Sequence, residues 1–128
     1  MKIIWSWIII NDKRVLLIKR SKNKWWIPNI WVFPWWWAER NETPEETTIR
    51  EVKEEVWLDF KIEKFWSEDE NWKWHFYQFL WTYSGKVILQ EEECDGYGWF
   101  TYIETKYLPM IERHIEILWN LYEEGLLE

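Results

Sequence analysis

The chain has 128 residues, of which 48% are apolar, 30% are charged and one is a cysteine. A chain of this length buries about two-thirds of its unfolded surface, so it can form a core without disulfides, and we expect a single domain over residues 1–128. With 16 Lys and Arg against 23 Asp and Glu, the net charge is −7, which argues against binding a nucleic-acid polymer through its backbone.

The first predicted element is the apolar run over residues 3–10. It is too short to span a bilayer and has no small-residue cleavage site after it, so it indicates a strand and no membrane partner. Asn11-Asp12 supplies a turn, and residues 14–20 return as the antiparallel strand. After a polar loop at 21–29, later strands rich in β-branched or aromatic residues are predicted at 58–66, 72–83, 86–90 and 99–104.

Two segments are predicted to be helices. The first opens with Thr43-Pro44-Glu45-Glu46, which places a capping hydroxyl at Thr43 and a glutamate three residues later. The second runs from about residue 109 to residue 124 and is expected to be a surface helix, on which His114 carries no functional signal. Its apolar residues at helical spacing are Ile111, Ile115, Leu118, Trp119 and Tyr122.

The first helix carries a face of carboxylates. On a helical wheel, residues 49, 52 and 56 form one apolar stripe. Three carboxylates share the opposite face: Glu51, Glu54 and Glu55. Like charges at helical spacing are destabilising unless neutralised, and Mg²⁺ and Mn²⁺ prefer oxygen ligands, so the face fits a metal site. A solvated face held by weak ion pairs has the same pattern.

Residues 33–58 read FPWWWAERNETPEETTIREVKEEVWL. This segment resembles the Nudix hydrolase signature G-x5-E-x7-R-E-U-x-E-E-x-G-U, in which U is a bulky aliphatic residue. Glu42 stands at the first acidic position, Arg50-Glu51 at the R-E pair and Glu54-Glu55 at the E-E pair. The flanking strands also resemble those of compact MutT-type members of the family.

The resemblance implies an α/β fold, the Nudix α/β/α sandwich, with a mixed β-sheet between helices. It also implies a pyrophosphohydrolase that needs Mg²⁺ or Mn²⁺ and cleaves a nucleoside diphosphate linked to another moiety. NTPs, oxidised dNTPs and ADP-ribose are substrates of this kind, and water attacks the pyrophosphate. The partner is therefore a nucleotide-type small molecule, and we expect a monomer or homodimer.

The resemblance further implies roles for individual residues. Glu51, Glu54 and Glu55 would bind the cations, together with the backbone carbonyl of Trp35. Glu51 and Glu54 are the predicted catalytic carboxylates of the helix. Glu42 and Arg50 would form a structural ion pair between loop and helix.

Four further features come from the rest of the chain. An acidic run at 91–95 contains Glu93, which is our choice for a further catalytic carboxylate, although a solvated turn fits this run equally well. Arg20 and Lys22 belong to a small basic cluster that could contact phosphate oxygens. An ordinary solvated loop explains the cluster at least as well. For His75, in an alternating strand, a structural role is favoured over a catalytic one. The single cysteine favours a reducing compartment, so we expect a cytoplasmic protein.

The signature glycines are replaced by tryptophan. Trp36 and Trp57 occupy the two glycine positions, and Trp35 stands at the other glycine of the usual F-P-G-G lead-in. The chain has 15 Trp and only 4 Gly, so the excess of tryptophan mirrors the shortage of glycine. Either several of these tryptophans stand where the natural chain has glycine, or the loop is an aromatic platform that stacks on a base.

These tryptophans keep two other functions open. One is a catalytically impaired Nudix-fold protein, which binds nucleotides but does not hydrolyse them because the tryptophans block its phosphate loop. The other is an aromatic-rich protein-interaction domain whose acidic helix is only a solvated surface.

Overall fold

The computed structural model describes residues 2–20, 29–37, 43, 46, 58–70, 74–85 and 94–128. Within these residues, no helix is both long and apolar enough to cross a membrane. The predicted strand at 86–90 lies outside them. The elements with described bounds are β1 Lys2–Asn11, β2 Arg14–Arg20, β3 Trp31–Val32, β4 Trp35–Trp37, β5 Leu58–Glu70, β6 Trp74–Gly85, β7 Cys94–Phe100, α1 Tyr102–Thr105 and α2 Glu112–Glu123.

The first of two compact units contains Met1–Ile9 and Pro34–Leu89. Its strand β1 runs parallel to β6, from Lys2 opposite Trp74 onward, and antiparallel to β4. On its other side β6 pairs antiparallel with β5. The combination of parallel and antiparallel pairs is a mixed sheet, as predicted.

Strand β1 is buried on both faces. On one face, the rings of Trp5 and Tyr77 lie 5.1 Å apart, and those of Trp7 and Phe79 lie 5.7 Å apart. The other face is at most 3% exposed and carries Ile4, Ser6 and Ile8. A strand buried on both sides has little polar alternation, which explains why residues 3–10 read as a continuous apolar run.

The second compact unit contains Ile10–Phe33 and Gln90–Glu128. Strand β2 pairs antiparallel with β3 and β7, and its first residues pair with the end of β1. Asp12 and Lys13 connect β1 to β2 with φ of 51° and 58°, the left-handed conformation of a type I′ hairpin turn. The predicted hairpin is confirmed, with its turn one residue later than predicted.

Helix α1 replaces the second half of the strand predicted at 99–104, so that part of the prediction is wrong. The cause is a capping box at the helix start. The Glu104 N–H donates to Thr101 Oγ1 at 3.3 Å, and the Thr101 N–H donates to the Glu104 carboxylate at 3.0 Å. The backbone hydrogen bond to Thr101, followed by the side-chain one, lowers the pKa of Glu104 below its ordinary value.

Helix α2 confirms most of the second predicted helix, but it buries a different face. Ile115, Trp119 and Tyr122 remain 42–50% exposed. The buried residues are His114, Ile117, Leu118 and Leu121. His114 lies on the buried face of this helix: the side chain is 9% exposed, and its ring centroid lies 4.7 Å from that of Phe33. Both sets of residues have helical spacing, and packing of the aliphatic set selects the buried face.

Burial, and secondarily the charge of Arg113, lower the pKa of His114 from 6.5 to about 4. The folded protein therefore holds this imidazole neutral at pH values where the unfolded chain protonates it. Between pH 6.5 and pH 4 the unfolded state binds more protons, so stability decreases as the pH falls through this window.

We predict that acidification from pH 7 to pH 4 lowers the free energy of unfolding by about 3 kcal/mol more in the wild type than in a His114→Leu variant. The variant keeps an apolar side chain in the site and loses the titrating group. Urea unfolding at a series of pH values measures the difference. An identical pH dependence of the two proteins would contradict the prediction.

Candidate active site

Most predicted site residues lie outside the residues that the structure describes. They are Lys22, Glu42, Arg50, Glu51, Glu54, Glu55 and Glu93. Their surroundings are described at three places: the start of the acidic helix at Thr43 and Glu46, the strand β4 that precedes it, and Arg20 at the end of β2.

The start of the acidic helix has the predicted cap. The Glu46 N–H donates to Thr43 Oγ1 at 3.1 Å, and Glu46 is helical. A side-chain oxygen at the N-cap satisfies one of the backbone donors that a helix leaves unpaired in its first turn. The bond confirms the predicted helix start.

The residues before this helix form a strand. In β4, Trp35 lies opposite Ser6 and Trp36 lies opposite Trp5. Extended backbone of this kind is open to any residue, so it does not require glycine at positions 35 and 36. A tryptophan here therefore changes the space around the strand and leaves its backbone conformation unstrained.

One hydrogen bond determines the direction of the Trp35 carbonyl. The Trp7 N–H donates to the Pro34 carbonyl at 2.8 Å. Opposite residues in an antiparallel ladder alternate between pairs that exchange backbone hydrogen bonds and pairs that do not. Because Trp7 and Pro34 are a bonded pair, Ser6 and Trp35 are not, and the Trp35 carbonyl is directed to the side of β4 away from β1. A carbonyl that ligates a cation needs this orientation.

Arg20 is the last residue of β2 and is only 9% exposed. Its backbone N–H donates to the Ile30 carbonyl at 2.8 Å, and it lies opposite Cys94 beside a shift in strand register. Burial lowers the pKa of its guanidinium below the ordinary value, yet arginine stays protonated at neutral pH. A poorly hydrated guanidinium is well suited to bind a phosphate group.

His75 is held by its own hairpin. Its Nε2 lies 2.9 Å from a Glu68 carboxylate oxygen, and its Nδ1 lies 3.4 Å from a Glu70 carboxylate oxygen. The ring stacks on Tyr77 with 4.3 Å between centroids and 5° between planes. These contacts favour the structural role expected for this histidine.

Acidic and histidine side chains elsewhere in the described ranges do not form a competing metal site. Nowhere in those ranges do three His, Cys, Asp or Glu residues come together in a way that could hold a metal ion.

Sequence analysis did not identify two buried polar residues of the first unit. Ser6 and Gln78 are each 2% exposed and are register partners on β1 and β6. The Gln78 side-chain oxygen accepts a hydrogen bond of 2.6 Å from the Ser67 hydroxyl on β5. One signal was available: Ser6 interrupts the apolar run IIWSWIII, where a polar residue needs a specific partner.

The chain belongs to the NUDIX domain family, whose model matches residues 3–121. This match confirms the resemblance of the acidic segment to the Nudix signature. It also supports the predicted enzyme class, a pyrophosphohydrolase.

Named relatives agree with this assignment. Dihydroneopterin triphosphate diphosphatase of Haemophilus influenzae is 27% identical over 112 residues, which cover 85% of this chain and 66% of the relative. The chain thus spans just under two thirds of that relative's length.

Solved structures confirm the predicted fold class. A MutT structure from Aliivibrio salmonicida or Vibrio cholerae has a TM-score of 0.81 at 19% identity, covering 96% of this chain and 98% of its own. An ADP-ribose pyrophosphatase from Streptococcus suis has a TM-score of 0.67 at 18% identity, covering 85% and 78%. The common fold is a mixed β-sheet with packed helices.

We predict that Thr43→Ala lowers the free energy of unfolding by about 1 kcal/mol, because the Glu46 N–H loses its acceptor. Thr43→Ser keeps a hydroxyl in the same place and should remain within a few tenths of a kcal/mol of the wild type. Urea unfolding of the three proteins checks this. Equal stability of the alanine and serine variants would show that the cap is dispensable.

Proposed function

We propose that this protein is a pyrophosphohydrolase that requires Mg²⁺ or Mn²⁺ and cleaves a nucleoside diphosphate linked to another moiety. The observation that carries the proposal is the capped helix start at Thr43. A helix that continued from this cap through residue 55 would bring Glu51, Glu54 and Glu55 to one side, as the helical wheel predicts. Membership of the NUDIX family supports the same conclusion.

The proposed donors suit a hard divalent cation. Glu51, Glu54 and Glu55 would supply carboxylate oxygens, and Trp35 a backbone carbonyl directed away from β1. Oxygen ligands of this type are the ones that Mg²⁺ and Mn²⁺ prefer. When bound, the cation neutralises diphosphate charge and makes water a stronger nucleophile at neutral pH.

The other residues have supporting roles in this proposal. Glu51 acts as, or orients, the general base, and Glu93 contributes a further carboxylate. Glu42 and Arg50 pair to hold the loop against the helix. Arg20 and Lys22 bind phosphate oxygens.

The substrate is proposed at the level of its chemistry. One relative is named for dihydroneopterin triphosphate and another for ADP-ribose, and both compounds contain a phosphoanhydride bond. ADP-ribose is in addition a nucleoside joined through a diphosphate to another group, and we propose a nucleotide-type small molecule of that kind. We also propose a single-domain cytoplasmic protein, monomeric or homodimeric, without a nucleic-acid polymer or membrane as partner.

A second candidate function is nucleotide binding without turnover. Trp36 at the signature glycine position favours this alternative, because an indole is much larger than the hydrogen atom of glycine. Binding and hydrolysis separate the two functions experimentally.

We predict Mg²⁺-dependent phosphate or nucleotide release from at least one member of a panel of NTPs, 8-oxo-dGTP, ADP-ribose and dinucleoside polyphosphates. Glu54→Gln should reduce kcat at least 100-fold, because the amide removes a charged oxygen ligand. Glu123→Gln on α2 changes the same chemical group at an exposed position and should leave kcat within two-fold.

Metal-dependent nucleotide binding without release of product from any substrate would select the binding function. If the protein binds neither metal nor nucleotide, both Nudix functions fail and the interaction-domain alternative remains.

We predict different substitution patterns at the two signature tryptophans. At position 36 the backbone is extended, so Trp36→Ala and Trp36→Gly should raise kcat equally by removing bulk. At position 57 the family ends its helix with glycine, which adopts the left-handed backbone conformation without strain. Trp57→Gly should therefore raise the free energy of unfolding by about 1–2 kcal/mol. Trp57→Ala should not, because alanine keeps the β-carbon that disfavours this conformation.

Kinetics and urea unfolding of the four variants check this prediction. The intact mass of protein from its natural source separately tests whether all fifteen tryptophans are present. A Trp36→Gly variant that is much faster than Trp36→Ala would show that backbone freedom, rather than space, limits turnover.

A further inference from the structure

Helix α2 exposes a continuous apolar stripe. Ile115, Trp119 and Tyr122 are 42–50% exposed, while the aliphatic residues on the adjoining side of the helix are buried. On a helix that advances about 100° per residue, the three exposed residues fall within about 60° of one another. We call these three residues the apolar stripe. Single exposed apolar residues need no explanation, whereas a contiguous set of them marks an interaction surface.

Two residues of the apolar stripe belong to a cluster of aromatic rings. The Tyr122 ring stacks on that of the buried Tyr102, with 4.6 Å between centroids and 19° between planes. The Trp119 ring centroid lies 5.9 Å from that of Tyr102 and 6.0 Å from that of Tyr122. Side chains that already hold one another lose little freedom when a partner binds. Tryptophan and tyrosine are also enriched among the residues that dominate the affinity of protein interfaces.

Carboxylates border the apolar stripe on one side of the helix. Glu112, Glu116 and Glu123 are exposed and fall within about 40° of one another, next to the stripe. We call these three residues the carboxylate row. Arg113 Nη1 lies 3.1 Å from a Glu116 carboxylate oxygen, in an ion pair that water reaches. With three carboxylates and one guanidinium, this side of the helix remains acidic.

The carboxylate row opposes the stability of its own helix. Glu112 and Glu116 are like charges four residues apart, and such pairs are destabilising. Glu123 and Glu124 lie at the C-terminal end of α2, where the helix dipole favours cations, yet residues 120–124 contain neither lysine nor arginine. A cationic partner along the row would relieve both effects, so the charge pattern favours a basic occupant.

The aromatic cluster also accepts a cation. Lys106 Nζ lies 5.0 Å from the centroid of the Tyr102 ring. Lysine and arginine are attracted to the faces of such rings, and the attraction grows when water is displaced. The cluster and the carboxylate row therefore favour the same type of side chain in a partner.

The spacing of the apolar stripe fits a helix as the partner. Its residues are separated by four and then three positions, as in the seam between two helices that pack side by side. The residues that flank such a seam face charged residues of the partner. A second copy packed antiparallel would set the carboxylate row against itself, and the net charge of −7 also opposes self-association. The same charge opposes an anionic membrane surface.

We propose that the apolar stripe of α2 is a docking surface for an amphipathic helix of another protein, whose polar residues next to the seam are lysine or arginine. The apolar side of that helix would cover Ile115, Trp119 and Tyr122. Its basic residues would pair with the carboxylate row. This docking function is independent of hydrolysis, because it uses neither a metal nor a nucleotide.

Two synthetic peptides of about 21 residues, long enough to form a helix, serve as probes. Both carry leucine at the core positions of a heptad repeat, and the flanking positions are lysine in one and glutamate in the other. Fluorescence anisotropy of the labelled peptides measures their affinity for the full chain at low ionic strength. Urea unfolding shows that each protein variant is folded.

The variants separate the apolar stripe, the carboxylate row and the overall charge. Ile115→Gln alters the stripe at a half-exposed position outside the ring cluster. Glu116→Gln combined with Glu123→Gln removes two charges from the row. Asp12→Asn combined with Glu124→Gln removes two charges elsewhere on the surface and is the matched control. Glu116→Lys combined with Glu123→Lys reverses the charge of the row.

We expect the wild type to bind the basic peptide and not the acidic one. Ile115→Gln should weaken this binding about ten-fold, because the exposed part of the isoleucine is buried in the complex. Loss of the two row charges should weaken it about three- to five-fold, and the control pair should remain within two-fold of the wild type. The charge-reversed variant should bind the acidic peptide more tightly than the basic one.

Absence of binding to the basic peptide, or equal binding by the wild type and Ile115→Gln, would overturn the proposal. A dimer detected by sedimentation velocity that Ile115→Gln dissociates would assign the stripe to a second copy. Binding to vesicles of phosphatidylcholine and phosphatidylserine that Ile115→Gln abolishes would assign it to a membrane. Either of these results would also overturn the proposal, and none of them bears on the proposed hydrolase.

Discussion

The pairing of β4 with β1 is the constraint on which the proposed site depends. A hydrogen bond from Trp7 to the Pro34 carbonyl begins this pairing, and proline, which has no N–H, cannot return the second bond of the pair. From there the alternation of the ladder sends the Trp35 carbonyl outward. In the sequence, β4 is followed six residues after Trp37 by the helix cap at Thr43.

Local sequence patterns predicted the elements whose stability is local. The bounds of β2 and the capping bond of Thr43 agree with the prediction. The strand predicted at 99–104 failed because aromatic and β-branched residues there favour a strand, while the Thr101–Glu104 capping box satisfies the backbone of a helix instead. The buried face of α2 could not be predicted, since two apolar faces have the same spacing and only tertiary packing chooses between them.

The candidate site likewise has features that local sequence predicts and features that depend on contacts between distant segments. The common side of Glu51, Glu54 and Glu55 is a property of one helix, and the wheel predicts it from sequence alone. The direction of the Trp35 carbonyl depends on pairing with residues near the start of the chain. The burial of Gln78 depends on β1 and β5 together. No short window of sequence contains these pairings. The extended backbone at Trp36 could not be predicted either, because the family signature has a glycine at this position and does not specify the backbone conformation.

The parallel pairing of β1 with β6 has a consequence for the order in which the protein folds. During synthesis β1 leaves the ribosome first, whereas β6 follows only after β2, β3, β4 and β5. Contacts between such distant segments form slowly, because a long stretch of chain loses its freedom before they contribute. Until β6 is available, the edge of β1 that pairs with it remains an unpaired apolar strand edge, which favours aggregation of the nascent chain.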